Sequence, residues 1–285
     1  MNNTKTLTAK EKINFFKKEL SMIQNETIRR IVEKALANVD DRFFFAPASS
    51  TGNYHPWWAC VVHGLVYHTR MVAFLADINC DRFRNFAEDA AIDKDIVIAA
   101  AILHDSCKSG VRWEAKYTVH EHPLLPPLLI DADDLSEDEQ KIWGRICDVI
   151  STHMGEFTTS KRSKVTLPSL PVLPKHGEPL DPEFWNKHAL HDADYAASRK
   201  EMSAIWIEDL LGMRDNNEPQ PEPLATEKQV NFIQFLISTG MRSGYDMSGF
   251  GAEDPSKLSS CQAGVMISQL KSYINFVEEL KAPTH

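Results

Sequence analysis

Apolar residues recur along most of this chain at the three-to-four spacing of an amphipathic helix. Several of these stretches begin with a side chain that can accept hydrogen bonds from the unpaired amides of a first turn. Thr8 with Glu11, Ser136 with Glu139, Thr226 with Gln229 and Ser259 with Gln262 fit the capping-box spacing. The pattern predicts helices near 9–20, 26–39, 59–79, 93–108, 119–131, 137–154, 183–213, 227–239 and 257–281. No sustained alternation of apolar and polar residues supports a large sheet, so the expected fold class is all-α.

Two stretches break the helical pattern. Prolines at 168, 171, 174, 179 and 182 predict a long, partly extended surface loop. Residues 215–225 read Asp-Asn-Asn-Glu-Pro-Gln-Pro-Glu-Pro-Leu-Ala, a linker composition stiffened by proline. The expected organisation is N-terminal helices packing on the core over 1–40, a main helical domain over 41–214, a linker over 215–225 and a small helical module over 226–285. That module carries two amphipathic helices around a glycine-bearing loop from Gly240 to Gly251. A helical hairpin of this size makes a small core, so it is expected to dock on the main domain or to join subunits of a homo-oligomer.

Composition narrows the function classes. The chain has 285 residues, 43% hydrophobic and 25% charged, as expected for a globular protein with a packed core. A net charge of -9 argues against binding duplex nucleic acid through a broad basic surface, so an anionic substrate should be small and met by a metal or local cations. The C-terminal module offers five basic residues against six acids, which gives nucleic acid no foothold there either. Five scattered cysteines without a Cys-x-x-Cys arrangement suggest reduced thiols. No leader-like start and no apolar run of about 20 residues is present, so the expectation is a cytoplasmic protein with no membrane partner.

The candidate chemistry lies in the histidines. His68, His104, His122 and His153 each fall on or beside a predicted helix, accompanied by Asp105 and Asp194. Imidazole and carboxylate together suit divalent transition metals, and the lack of cysteine pairs argues against a structural zinc knuckle. His104 and Asp105 follow the apolar run Ile96 to Leu103, so they should sit at the end of a buried helix, where an unpaired Asp is expensive. Lys108, four residues after His104 and three after Asp105, should share their face and reach an anionic oxygen.

Three ordered segments resemble the motifs of the HD (His-Asp) phosphohydrolase superfamily. They are Gly64-Leu65-Val66-Tyr67-His68-Thr69, Ala100 to Lys108 around His104-Asp105, and Ala193-Asp194-Tyr195-Ala196-Ala197-Ser198-Arg199. The resemblance spans roughly residues 40 to 210 and carries chemistry better than biology. It implies an HD-type helical bundle in which His68, His104, Asp105 and Asp194 hold one divalent ion. His122 and His153 resemble the further histidines that complete a two-metal site, with His120 an alternative to His122. The implied metal is Mn, Fe, Ni, Co or Mg. Ser49 to Pro56 resembles a loop upstream of the first ligand in one branch, which makes His55 a candidate substrate contact alongside Lys108 and Arg199. Relatives in that branch often carry a glycine pair where this chain has His63-Gly64.

The implied activity is hydrolysis of a phosphate ester in a nucleotide or short oligonucleotide, as a phosphomonoesterase or phosphodiesterase, with Asp105 and Lys108 in the catalytic roles. The alternative is an inactive member that binds a nucleotide as a sensor. Other residues have plainer readings. His188 and His191 have a spacing that can bind metal but that also occurs on any solvated helix face. Trp57, Trp58, Trp113 and Tyr117 can stack on a base, although core packing or a pocket wall is the commoner role. The acidic run from Asp131 to Glu139 reads as an exposed loop and helix start, and Cys107 as a buried thiol.

Overall fold

The computed structural model describes residues 6–49, 55–86, 90–175, 178–199, 224–247 and 254–258, with further residues between 263 and 274. Among them are eight α-helices, several single 3-10 turns and no strand. They are α1 (Ala9–Asn14), α2 (Lys17–Leu20), α3 (Glu26–Asn38), α4 (Gly64–Phe86), α5 (Lys94–Leu103), α6 (Glu137–Ser151), α7 (Phe184–Ala197) and α8 (Glu227–Arg242). The expected all-α fold is the observed one. No helix among the described residues is long and apolar enough to cross a membrane.

Three capping boxes close as their spacing predicts. The Thr8, Ser136 and Thr226 hydroxyls accept from the amides of Glu11, Glu139 and Gln229, and those side chains accept from the cap amides in return. Ser259 and Gln262 lie outside the described residues, as do the expected helix beyond Arg199 and most of the 215–225 linker.

Helix α5 organises the main cluster. Every residue from Ile96 to Leu103 is fully buried, because a helix that is apolar all round must be covered all round. Helices α3, α4, α6 and α7 pack against it, and each large aliphatic side chain so buried is worth roughly 1.5–3 kcal/mol. One hydrophobic cluster runs from Leu7 to Ala197 and includes Phe16, Leu20 and Ile31 of the N-terminal helices. A separate cluster joins Ile233 and Leu236 of α8 with Met247, Leu258, Ala263 and Leu270.

Local chemistry shifted several expected boundaries. The helix expected over 119–131 is instead three short 3-10 turns, His122–Leu124, Pro126–Leu129 and Ala132–Asp134. Pro123, Pro126 and Pro127 supply no amide and clash with the preceding turn, so an α-helix cannot propagate there. The segment expected as one helix over 9–20 divides at Phe15 and Phe16. Helix α5 ends at Leu103, and the next residues form tight turns in which the Lys108 amide donates to the Asp105 carbonyl and the Gly110 amide to the Cys107 carbonyl.

Helix α4 begins where the chain passes close to an earlier loop. A Cβ on Gly64 would stand 2.3 Å from the Ala59 carbonyl oxygen and 3.2 Å from Pro47 Cα, both backbone atoms. His63, the departure from the glycine pair, takes the left-handed conformation with φ 64°, and its Nδ1 donates to the Phe44 carbonyl. Its ring packs beside Phe15 and Phe45. A hydrogen bond and two aromatic contacts thus offset the backbone cost that a glycine would avoid. Gly64→Ala is expected to destabilise the fold by about 1–3 kcal/mol, read as a lower denaturant midpoint at unchanged slope. An unchanged midpoint would show that this close approach carries no constraint.

Candidate metal centre

Five helices or turns deliver six side chains to one buried place. His68 comes from the second turn of α4, His104 and Asp105 from the end of α5, His122 from the first 3-10 turn after it, His153 from just past α6, and Asp194 from α7. His68 and His104 are fully buried, and Asp105, His122 and His153 nearly so. Asp194 keeps a side-chain exposure of 19%. Two triads result, His68-His104-Asp194 and Asp105-His122-His153, and each could hold a metal ion.

In the first triad the His68 and His104 Nε2 atoms are 3.3 Å apart. Asp194 Oδ1 lies 3.1 Å from His68 Nε2 and 3.7 Å from His104 Nε2. In the second, the His122 and His153 Nε2 atoms are 3.1 Å apart, and Asp105 Oδ1 lies 3.3 Å from His122 Nε2. The other oxygen of Asp105 turns back to the first triad, with Oδ2 3.6 Å from His104 Nε2 and 3.8 Å from His68 Nε2. One carboxylate therefore faces both groups.

The donor set fits a divalent transition metal. Two donors each about 2.1 Å from an ion stand roughly 3.0 Å apart across a right angle and 3.4 Å across a tetrahedral one, close to the spacings above. Tautomers point the same way. The Nδ1 atoms of His104, His122 and His153 each donate to a backbone carbonyl at 2.8 Å, those of Ala101, Val119 and Ile150. A carbonyl only accepts, so these Nδ1 atoms carry a proton, and in the neutral ring each Nε2 then keeps a bare lone pair. Two such lone pairs 3.1 Å apart, in His122 and His153, repel unless a cation lies between them. His68 differs, since its Nδ1 is buried with no partner.

Electrostatics agree with that reading. Burial pushes the His68 imidazole below its usual range and brings His153 down to about 3, so both rings are neutral and free to ligate at neutral pH. Burial raises the Asp105 carboxyl, but Lys108, His104 and His122 outweigh it and hold the group well below its ordinary range. Burial also opposes ionisation of Asp194, and the His68 hydrogen bond with the neighbouring imidazoles more than reverses it. Two ionised carboxylates thus stand in a buried site against one ammonium, Lys108, whose Nζ is 2.5 Å from Asp105 Oδ2. Such a charge imbalance calls for a further cation.

A cavity of about 600 Å³ opens onto Asp105, His122, His153 and Asp194, lined among others by His55, Lys108, Thr118, Phe157, Tyr195 and Arg199. The His55 ring stands edge-on to His68 at 5.2 Å, and burial brings its imidazole to about 3. The Arg199 guanidinium lies over the Tyr195 ring, 3.6 Å from its centre. Lys108 reaches the site from a turn and not from a helix face, so the spacing argument placed it well for the wrong reason. His120 donates to or accepts no imidazole here; its Nε2 faces the Thr158 carbonyl at 3.2 Å, and His122 is the residue that points inward. His188 bonds to the Pro171 carbonyl away from the cavity. His191 lines the cavity and its Nδ1 donates to the His153 carbonyl at 2.8 Å, supporting a triad residue from behind. Burial raises the Cys107 thiol to about 12, so no nucleophile stands there.

Trp57, Trp58, Trp113 and Tyr117 do not line this cavity. Trp58 is fully buried in the core, and Trp57 and Trp113 pack against it. The aromatic side chains at the cavity are Phe157 and Tyr195, which the sequence reading did not single out. Their signal was proximity, four residues after His153 and one after Asp194. Comparison with known protein families, curated proteins and solved structures finds no match for the chain.

Metal analysis of protein loaded with manganese and then desalted is expected to find two ions per chain. Asp194→Ala should lose one, His153→Ala the other, and Asp105→Ala most of both, because its oxygens face both triads. Wild-type protein that retains no divalent metal would contradict this account of the cluster.

Proposed function

We propose that this chain is a metal-dependent phosphohydrolase of the HD type, cleaving the phosphate ester of a nucleotide or short oligonucleotide. The observation that carries the reading is the placement of Asp105, with one oxygen toward each triad and Lys108 against it, at the floor of a cavity open to a small substrate. The ordered motifs around His68, His104-Asp105 and Asp194 support it, since they resemble that superfamily. A divalent ion bound there would polarise a phosphoryl oxygen and lower the pKa of a water, making hydroxide accessible near neutral pH.

The protein side chains supply the rest. His68 is held in place by helix packing and His104, His122 and His153 by carbonyl bonds as well, so little reorganisation is needed as charge develops. Lys108 uses one N–H on Asp105 and has two more to offer a phosphoryl oxygen in the cavity. Arg199, restrained by its stack on Tyr195, presents a planar fork suited to phosphate at the cavity wall. His55, neutral and with Nε2 3.5 Å from Ser198 Oγ, lines the same cavity and is the further candidate for substrate contact. Burial of the floor strengthens each of these interactions by excluding water.

The acidic chain favours a short substrate over a duplex. With manganese present, a screen of nucleotides and generic phosphate esters is expected to find turnover. Asp105→Ala should abolish it with helicity intact, and Lys108→Ala should lower kcat by about 10² to 10³. Full activity in Asp105→Ala would sink the proposal.

A further inference from the structure

A second cavity, of about 360 Å³, adjoins the first. Phe157, His191 and Tyr195 line both, and Gly155, Ser169 and Leu170 help to close the smaller one. Both volumes lie in or near the range of small-molecule sites, roughly 300–1,000 Å³. The two aromatic side chains at the junction are unusually wet, with Phe157 57% exposed and Tyr195 48%.

The Tyr195 and His191 rings are held by their neighbours. The Tyr195 ring has Arg199 on one face and His191 beside it, with ring centres 6.1 Å apart. His191 is fixed by its bond to the His153 carbonyl, and its ring fills the space where Gly155, at φ 59°, would carry a Cβ, 2.2 Å away. Phe157 lies two residues beyond Gly155, and its amide donates to the Met154 carbonyl. No described ring stacks on Phe157, so it keeps an open aromatic face at the junction.

Cleaving a phosphate ester requires none of these rings. An ester of a small alkyl alcohol would leave Phe157 in water, whereas a flat heterocycle attached to the phosphate through a sugar would cover it. We propose that the second cavity is a nucleobase subsite, in which the base stacks on Phe157 against the rim formed by His191 and Tyr195. The phosphate then lies among Lys108, Arg199 and the buried His/Asp groups. This proposal rests on the reading of the first cavity as a phosphate-ester site, and it makes Phe157 the residue that separates nucleotides from simple esters. Every base has a π-face, so stacking selects a base over none without choosing among bases.

The test is calorimetric titration of the full-length, manganese-loaded protein with three ligands: the non-hydrolysable phosphonate analogues of AMP and of ribose 5-phosphate, and inorganic phosphate. Wild type should bind the AMP analogue roughly tenfold or more tighter than the ribose analogue. Phe157→Ala should remove that difference and leave phosphate binding unchanged, and Phe157→Trp should restore it. Equal binding of the two analogues by wild type, or a loss in Phe157→Ala shared by all three ligands, would overturn the subsite. Failure of all three to bind would overturn the phosphate-ester reading along with it. A preference for the base in a protein that hydrolyses no nucleotide would uphold the subsite and count against hydrolysis alone.

Discussion

Helix α5 has no polar side chain between Ile96 and Leu103, so it is stable only where other helices cover it on every side, and α3, α4, α6 and α7 do so. The same burial carries the next two residues, His104 and Asp105, into the interior. A carboxylate there is costly unless it is paired, and one lysine does not balance the two carboxylates that meet at that point. The packing of an apolar helix thus creates the demand for a cation, and the surrounding helices bring up donors that could hold one.

Each neighbour of α5 contributes through its own fold. Helix α4 starts at a glycine that lets it pass close to Ala59 and Pro47, which fixes the level at which His68 reaches the centre. Helix α6 stops at Ser151, so His153 lies in a turn and bonds back to Ile150. Helix α7 brings Asp194 to the site and His191 behind His153. Because three imidazoles are fixed by carbonyls, the two triads are held as acceptors facing one another, an arrangement set by the backbone before any ligand binds. The wall that carries Lys108, Arg199, Phe157 and Tyr195 is built on these same elements, so the proposed substrate contacts and the candidate metal donors share one frame.

Much of this was legible in the sequence. The capping boxes at Thr8, Ser136 and Thr226 closed as their spacing predicts, and the unbroken apolar run before His104 announced a buried helix. The six side chains that meet at the centre are the ones picked out by residue type and motif order. Legibility failed where backbone direction depends on local breaks. Prolines at 123, 126 and 127 turned an apparent helix into 3-10 turns, and only those turns decide that His122 and not His120 faces inward. Lys108 reaches Asp105 through a turn that helical spacing cannot describe. The aromatic wall was missed because Phe157 lies outside the motifs and Tyr195, although inside the Asp194 segment, carries no ligand chemistry that marks it, while Trp57, Trp58 and Trp113 are occupied by the core.

The central claim is that the paired His/Asp triads form a divalent metal centre. Anomalous diffraction from crystals of the manganese-loaded protein tests it most directly. The account predicts two anomalous peaks, one among His68, His104 and Asp194 and one among Asp105, His122 and His153, with Asp105 contacting both. Crystals grown with excess manganese that show no peak among these six residues, or peaks only elsewhere, would contradict it.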